Sequence, residues 1–208
     1  MFPAALDAQA PQRPAYLDQR SDENWTFLRD VSKRSDVWDS WKYIPLGKSG
    51  DSFVSIGGEA RLRWDFFRDA SFGSVPNSPN GFLLQRYLVH ADTHLGKRVR
   101  FFTQFQSGIE TGRVTGPRLT DQDSAEVHQA FVDLSTSDAP NKGLSFRAGR
   151  QEYEFGAGHF ISASEVFNVR RTFDGFRLTY YVRDWTLLAI AAKPVVTKPD
   201  RSEEHTSE

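Results

Sequence analysis

The stretch that decides the fold runs from Ser52 to Arg68 and reads SFVSIGGEARLRWDFFR. Successive side chains of a β-strand point to opposite faces, so its residues divide into two rows. The apolar row holds Val54, Ile56, Gly58, Ala60, Leu62, Trp64 and Phe66. The polar row holds Ser55, Gly57, Glu59, Arg61, Arg63 and Asp65. A helical period would scatter the charged residues around the axis, so the alternation predicts a β-strand.

The length of this strand bears on the fold class. Strands of soluble domains usually run about five or six residues. A strand that crosses a bilayer at a tilt needs roughly nine to eleven, with apolar side chains toward lipid and polar ones toward the lumen. Trp64 and Phe66 lie at one end of the apolar row, where an interfacial aromatic girdle would lie. The alternative is a long strand of a soluble sandwich or jelly roll with its polar face in water.

Composition excludes several classes of protein. The chain has 208 residues, a net charge of -1 and no cysteine, with a mean hydropathy of -0.54. No apolar run approaches the roughly 18 residues of a transmembrane helix, which excludes a helical membrane protein but not a barrel. The near-neutral charge argues against nucleic acid as a partner. The absence of cysteine excludes disulfides and thiolate metal sites.

The two ends of the chain differ from its centre. Ala8-Gln9-Ala10 resembles the end of a signal peptide but lies close to Met1, so we expect that the start is placed too late. Residues 1–50 are rich in charge and tryptophan, and we expect a periplasmic segment that packs aromatics against the base of a barrel; a short soluble cap or flexible arm is the alternative. Residues 201–208, RSEEHTSE, resemble a translated sequencing adapter and are expected to be a non-native tail. The chain is therefore expected to be a piece of a longer protein.

The same alternation recurs along the rest of the chain. It predicts six further strands, at residues 83–95, 99–110, 124–134, 144–152, 172–182 and 185–193. The connections alternate between long, loop-like stretches and short turns such as Gly96-Lys97 and Arg183-Asp184. Outer-membrane barrels have short periplasmic turns and long extracellular loops, whereas a Greek-key sandwich has no reason to place every long connection at one end. We therefore predict an all-β, antiparallel, up-and-down transmembrane β-barrel over residues 51–199, incomplete, with about seven strands of a larger wall.

Two positions test the predicted register. In the fourth strand the alternation places His128 in the apolar row with Ala130 and Val132. Arg150 lies in the apolar row of the fifth strand, where a lipid-facing arginine near mid-membrane would cost roughly 2 to 4 kcal/mol. We expect a bulge around Gly149 to turn Arg150 inward; a register error of one residue is the alternative.

Five motifs, in this order along the chain, resemble motifs of a known family. They are YIPLGKSGDSFVSIGGEARLRWDFF, LLQRYLVHADTHLG, HQAFVDL, RAGRQEYEFG and NVRRTFDGFRL. With them the chain, from Tyr16 to about Pro199, resembles the bacterial alginate export family of outer-membrane proteins. The resemblance implies a monomeric barrel of about eighteen strands that passes an anionic polysaccharide, or small solutes, through an arginine-lined pore. It also implies a periplasmic N-terminus, contact with outer-membrane lipid, periplasmic secretion components as candidate partners, no catalysis and no cofactor.

Candidate pore residues follow if the polar row faces the lumen. On the strands they are Glu59, Arg61, Arg63, Arg86, Arg100, Arg147 and Arg177. The long stretch after the fifth strand would add a constriction with Arg170, Arg171 and Asp174. The planar, permanently charged arginine fork binds carboxylates in a bidentate manner, and a ring of such groups lowers the barrier for polyanions. The alternative is that arginine–glutamate ladders only brace the wall.

The sequence also contains residue groups of the kinds found in metal sites and in glycosidases. His90, Asp92 and His94 share a face and could hold a non-haem iron, although ordinary polar lumen residues are the expected reading. The acid pairs Asp121/Asp123 and Glu152/Glu154 are of the type that glycosidases use. A soluble β-rich carbohydrate-binding or glycoside-hydrolase module is therefore the alternative function. No phosphate loop, nucleophile elbow or zinc-binding helix occurs in the sequence.

Overall fold

In the part of the chain that the structure describes, eight β-strands form one antiparallel sheet in the order of the sequence. The computed structural model describes residues 14–68, 70–74, 80–139, 141–155 and 158–196. The strands are β1 Ile44–Pro45, β2 Phe53–Phe67, β3 Asn80–Leu95, β4 Val99–Thr111, β5 Asp123–Ser135, β6 Gly143–Gln151, β7 Phe173–Val182 and β8 Trp185–Pro194. Each strand pairs with the next, and within the described residues the outermost strands do not pair to close a barrel. The predicted partial up-and-down sheet is confirmed; only the two-residue β1 was not predicted.

Within the described residues, helical structure is confined to short segments. They are the α-helix α1 Asp39–Lys42 and single 3-10 turns at Arg20–Asp22, Thr26–Arg29, Val31–Lys33 and Ala70–Gly73. Across the ranges that the structure covers, no helix combines the length and the apolar character needed to cross a membrane.

The connections differ in length at the two ends of the sheet. Residues 46–52, 96–98, 136–142 and 183–184 connect strands at one end, called here the short-turn end. Residues 68–79, 112–122 and 152–172 connect them at the other, called the long-loop end. The predicted alternation of long and short connections is therefore confirmed.

The exposed face of the sheet is the apolar one. We call it the outer face; Leu62 and Trp64 are each 67% exposed there, and Val89, Phe105 and Phe176 are also exposed. The opposite, inner face carries the polar rows and is covered, with Arg86 at 1% and Gln104 at 1% exposure. A sheet of a soluble domain buries its apolar side instead.

A bulge in β5 changes the predicted placement of His128. Gln129 lies opposite Gln104, but Val127 lies opposite Phe105, so His128 is the extra residue in the ladder. Both His128 and Gln129 are buried. The prediction that His128 belongs to the apolar row is wrong, because a one-residue insertion breaks the strict alternation.

Arg150 also differs from its predicted placement. β6 pairs without a register shift with both β5 and β7, so the expected bulge at Gly149 is wrong. Arg150 stays on the outer face, beside the end of β6, where Nε and Nη2 bind the two Asp174 carboxylate oxygens at 2.8 and 3.0 Å. Its Nη1 donates to the Val127 carbonyl oxygen at 3.1 Å. The bidentate pair therefore keeps an arginine near the strand end without turning it inward.

An aromatic cluster lies at the short-turn end, between residues 14–52 and β2. Trp25, Leu28, Tyr43 and Phe53 are buried together. The Tyr43 and Phe53 rings stack at 4.7 Å between centroids, and Phe53 stacks in turn on His94 at 4.3 Å. This cluster holds the N-terminal segment against the sheet.

Candidate functional site

Seven of the predicted pore residues share the inner face. They are Glu59, Arg61, Arg63, Arg86, Arg100, Arg147 and Arg177. The registers place Arg61 opposite Arg86 and Arg147 opposite Arg177. Like charges directly opposite each other destabilise a sheet, so each pair requires nearby anions.

Glu59 supplies one of these anions. Arg86 donates from Nη2 and Nε to Glu59 Oε1 at 2.7 and 3.2 Å. The other oxygen, Oε2, accepts from Arg20 Nη2 at 3.2 Å, and Arg20 also binds Glu23 at 2.7 Å. Burial alone would lower the pKa of Arg20, but the hydrogen bonds and charges of Glu23 and Glu59 outweigh burial and raise it. The N-terminal segment therefore adds a charged arginine to the inner face.

A second group lies toward the short-turn end. Arg100 binds both Asp92 oxygens, at 2.7 and 2.9 Å, and donates to the Ser21 carbonyl oxygen at 2.5 Å. Arg147 binds both Asp133 oxygens, at 2.5 and 2.7 Å, and its guanidinium lies 3.8 Å from the centre of the Phe131 ring. These bidentate pairs fix the planes of both arginines.

Part of the loop of residues 152–172, namely residues 165–170, lies across the inner face from the long-loop end. Arg61 Nη1 donates to Glu165 Oε1 at 2.9 Å, and Arg86 binds the same carboxylate oxygen. Arg63 Nη1 donates to the Val166 carbonyl oxygen at 2.7 Å. Sequence reasoning missed Glu165; the only signal was that it is the sole acid between residues 155 and 173, in the same stretch as Arg170 and Arg171.

Two buried residues anchor this loop. Asn168, with no exposed surface, donates from Nδ2 to the Gln85 carbonyl oxygen at 2.8 Å. Arg170 binds Glu152 Oε2 at 2.7 Å and donates to the Asp18 carbonyl oxygen at 2.7 Å. Arg170 therefore connects the loop to the N-terminal segment on the inner face.

The bulge in β5 completes this buried network. His128 Nε2 lies 2.6 Å from Glu152 Oε1, and Nδ1 lies 3.2 Å from Glu126 Oε1. The side chains of His128 and Glu152 are 0% and 1% exposed. Sequence reasoning could not foresee this contact, because it depends on the bulge.

Two predicted residues do not join the group. Arg171 is exposed, and its backbone N–H donates to the Ala163 carbonyl oxygen at 2.7 Å. Asp174 lies on the outer face with Arg150, on the opposite side of β7 from Arg177. The sequence interpretation placed Asp174 in a loop constriction, but β7 begins at Phe173 and strand alternation turns the next side chain outward.

The residues considered for other chemistry have structural partners. Asp92 accepts from Arg100 and lies 3.2 Å from His94 Nε2, while the His90 ring stacks on Phe102. Among the described residues, no group of three or more histidine, aspartate or glutamate side chains is arranged to hold a metal ion. Of the acid pairs, Glu152 is bound by His128 and Arg170, as described above.

Asp121, from the other acid pair, is bound as well. One oxygen accepts from the Asn168 N–H at 3.1 Å, and the other lies 3.4 Å from Arg113 Nη2. Its side chain is 6% exposed, as is expected of a buried carboxylate that fixes a loop.

Several donors on the inner face remain unused. Within the described part of the chain, the side chain of Arg177 makes no hydrogen bond or ion pair. In the same part, the buried Nε atoms of Arg61 and Arg170 have no hydrogen-bond partner. A cavity of about 550 Å³ opens at the short-turn end, and its basic lining residues are Arg29, Lys97, Arg98, Arg100 and Lys142. The cavity is also lined by Asp51, Asp133 and Asp138, so its wall carries charges of both signs.

Comparison with known proteins identifies the family. The family model for alginate export matches residues 52–208, which is more than half of the chain. No curated protein and no solved structure gave a significant match. The chain therefore belongs to the alginate export family, a family of outer-membrane proteins for polysaccharide export.

Proposed function

We propose that the sheet forms part of the wall of an outer-membrane pore, and that an anionic polysaccharide or oligosaccharide, alginate-like in its carboxylates, passes along its inner face. The observation that carries the proposal is the division of the sheet into an exposed apolar face and an arginine-rich inner face. Lipid would cover Leu62, Trp64 and Phe176, which are exposed. The pore needs no catalytic residue and no cofactor.

The inner arginines are suited to carboxylates for two reasons. Their forks make charge-assisted, bidentate bonds, as Arg100 and Arg147 already do with aspartates. The neighbouring acids compete for the same donors and so weaken the binding of any one sugar residue. A polymer could therefore move from one arginine to the next.

The short-turn end would face the periplasm, because barrels of this kind have their short turns on that side. The N-terminal segment lies at this end, and so does the cavity whose lining includes Lys97 and Lys142. A polyanion arriving from the periplasm would meet these two lysines first, whereas Arg98 in the same lining is paired with Asp138 at 2.7 Å. The long-loop end, with the loop of residues 152–172, would face the outside.

The soluble alternative is less well supported. A soluble module would leave Leu62, Trp64 and Phe66 in water, at exposures of 67%, 67% and 63%. The buried acids Asp121 and Glu152 are held by ion pairs, which does not favour a glycosidase site.

Planar-bilayer recording of the full-length protein tests the proposal. In a salt gradient we expect a reversal potential of the sign given by anion selectivity, and block of the current by a polyuronate but not by a neutral polysaccharide. Arg177→Gln should reduce the anion selectivity. Arg150→Gln is the matched control, because Arg150 lies on the outer face. A cation-selective channel, or no channel, would contradict the proposal.

A further inference from the structure

Three arginines converge on one carboxylate of the chain itself, that of Glu165. Arg61 Nη1 lies 2.9 Å from Oε1, Arg86 binds the same oxygen, and Arg170 Nη1 lies 3.2 Å from Oε2. The side chains of Arg86 and Arg170 are 1% and 2% exposed. These cations are therefore held in place by the protein rather than free at a surface, and they form a preorganised carboxylate site.

The backbone next to Glu165 extends this contact. Arg61 Nη2 donates to the Phe167 carbonyl oxygen at 3.0 Å, and Arg63 binds the carbonyl oxygen of Val166. Residues 165–167, called here the loop tip, thus present a carboxylate beside further oxygen atoms. An acidic sugar residue presents the same chemistry, a carboxylate flanked by hydroxyl oxygens.

The loop tip is held mainly by these polar bonds. Val166 is 74% exposed and the side chain of Glu165 is 40% exposed, so the release of these two residues uncovers little apolar surface. Phe167, at 39% exposure, is the one apolar side chain of the tip that is more than half covered. On one side, Ser164 has a φ of 60°, a left-handed conformation that is unfavourable for a residue with a Cβ. On the other side, Asn168 is fully buried and fixed. The tip can therefore yield its contacts while the rest of the loop stays in place.

The site also has donors that Glu165 does not use. Within the residues described by the structure, Arg61 Nε and Arg170 Nε are buried and lack a hydrogen-bond partner. A ligand with more oxygen atoms than one glutamate side chain could satisfy them. If such a ligand replaced Glu165, Glu59 would still neutralise part of the positive charge of Arg86.

We propose that Arg61, Arg86 and Arg170 form a binding site for the carboxylate of an acidic saccharide, and that Glu165 fills this site until the saccharide displaces it. This inference rests on the proposed function, since it takes a carboxylated saccharide as the solute. A tethered competitor acts at an effective concentration in the millimolar range. Glu165 would therefore keep the affinity for each sugar residue low, as conduction of a polymer requires.

Isothermal titration of the full-length protein in detergent micelles with trigalacturonate tests the site. Glu165→Gln keeps the size of the side chain and removes its charge, so trigalacturonate should bind at least about tenfold more tightly. Maltotriose, a neutral trisaccharide, should show no such gain. Glu154→Gln is the matched control, because Glu154 is exposed on the same loop, and its binding should equal that of the wild type.

A second variant tests the same site in case Glu165→Gln does not fold. Glu165→Asp keeps the charge but withdraws it by one methylene, and it should give a smaller gain. Adding Arg61→Gln to either variant should abolish the gain. Unchanged or weaker trigalacturonate binding in the folded Glu165 variants would overturn the inference.

The result of this titration can be distinguished from the result of the bilayer recording that tests the proposed function. Tighter binding in Glu165→Gln without an anion-selective pore in the bilayer would leave the carboxylate site standing and overturn the export role. An anion-selective pore with unchanged trigalacturonate binding in Glu165→Gln would support the export role and overturn the carboxylate site.

Discussion

Leu62→Arg is the sharpest test of which face of the sheet contacts lipid. β2 has 15 residues, Phe53–Phe67, and Leu62 lies two residues past its centre. With a rise of about 3.4 Å per residue and a tilt of about 40°, Leu62 lies within about 5 Å of the strand's mid-height. If the centre of β2 marks the bilayer midplane, the new guanidinium would lie well inside the hydrocarbon layer.

The expected cost follows from this depth. An arginine on the lipid face near the midplane of a barrel destabilises it by about 2 to 4 kcal/mol, falling to about 0 to 1 near an interface. Leu95 provides a matched control, because it is also on the outer face but is the last residue of β3, next to the short turn. Leu62→Arg should therefore lower the free energy of unfolding by about 2 kcal/mol more than Leu95→Arg.

Urea unfolding of the full-length protein in lipid vesicles, followed by tryptophan fluorescence, measures this difference. Both variants should keep the denaturant dependence (m-value) of the wild type, which shows that the same transition is observed. Equal effects of Leu62→Arg and Leu95→Arg would refute lipid contact at the outer face. That result would instead indicate a water-exposed sheet.

The remaining predictions concern the inner face and are checked by the same unfolding measurement. Arg86→Met should destabilise the protein by about 3 kcal/mol, because it leaves Glu59 without its best-placed partner, and the double change with Glu59→Gln should recover part of this loss; additive effects would contradict the pairing. His128→Leu should cost about 2 kcal/mol, since it removes a hydrogen bond to the buried carboxylate of Glu152; a neutral outcome would argue against the bond. Gly149→Ala should cost at least about 1 kcal/mol, because φ is +129° and a Cβ would clash with the Ala130 carbonyl oxygen of the neighbouring strand; retention of full stability would contradict this geometry.

The strands could be predicted from the sequence because each alternates over many residues. In β2 and β3 the polar and apolar rows match the inner and outer faces, and the predicted bounds fall within a few residues of the observed ones. Alternation depends only on the geometry of an extended chain, so it needs no knowledge of tertiary contacts. The placement of Arg61, Arg86 and Arg147 on one face followed from the same rule.

The contacts between distant segments could not be predicted. Glu165 meets Arg61 and Arg86 across more than 75 residues of chain, and its loop has no periodic pattern. Arg150 stays on the outer face because it pairs with Asp174 there. The alternation within a single strand does not reveal a pairing between two strands. Likewise the sequence predicts that the N-terminal segment either packs aromatics against the base of the barrel or forms a short cap or flexible arm, and neither prediction places Arg20 against Glu59 on the inner face.

The bulge at His128 has a consequence for genetic variation in this strand. Loss of the His128 codon would leave Gln129 opposite Gln104 and Val127 opposite Phe105, so the ladder would become regular and the neighbouring residues would keep their faces. The deletion would instead remove the imidazole that lies 2.6 Å from Glu152 Oε1 and leave Arg170 as the side chain that binds this buried carboxylate. A single-residue deletion at this position is therefore expected to remove a buried contact of the loop without changing the register of β5.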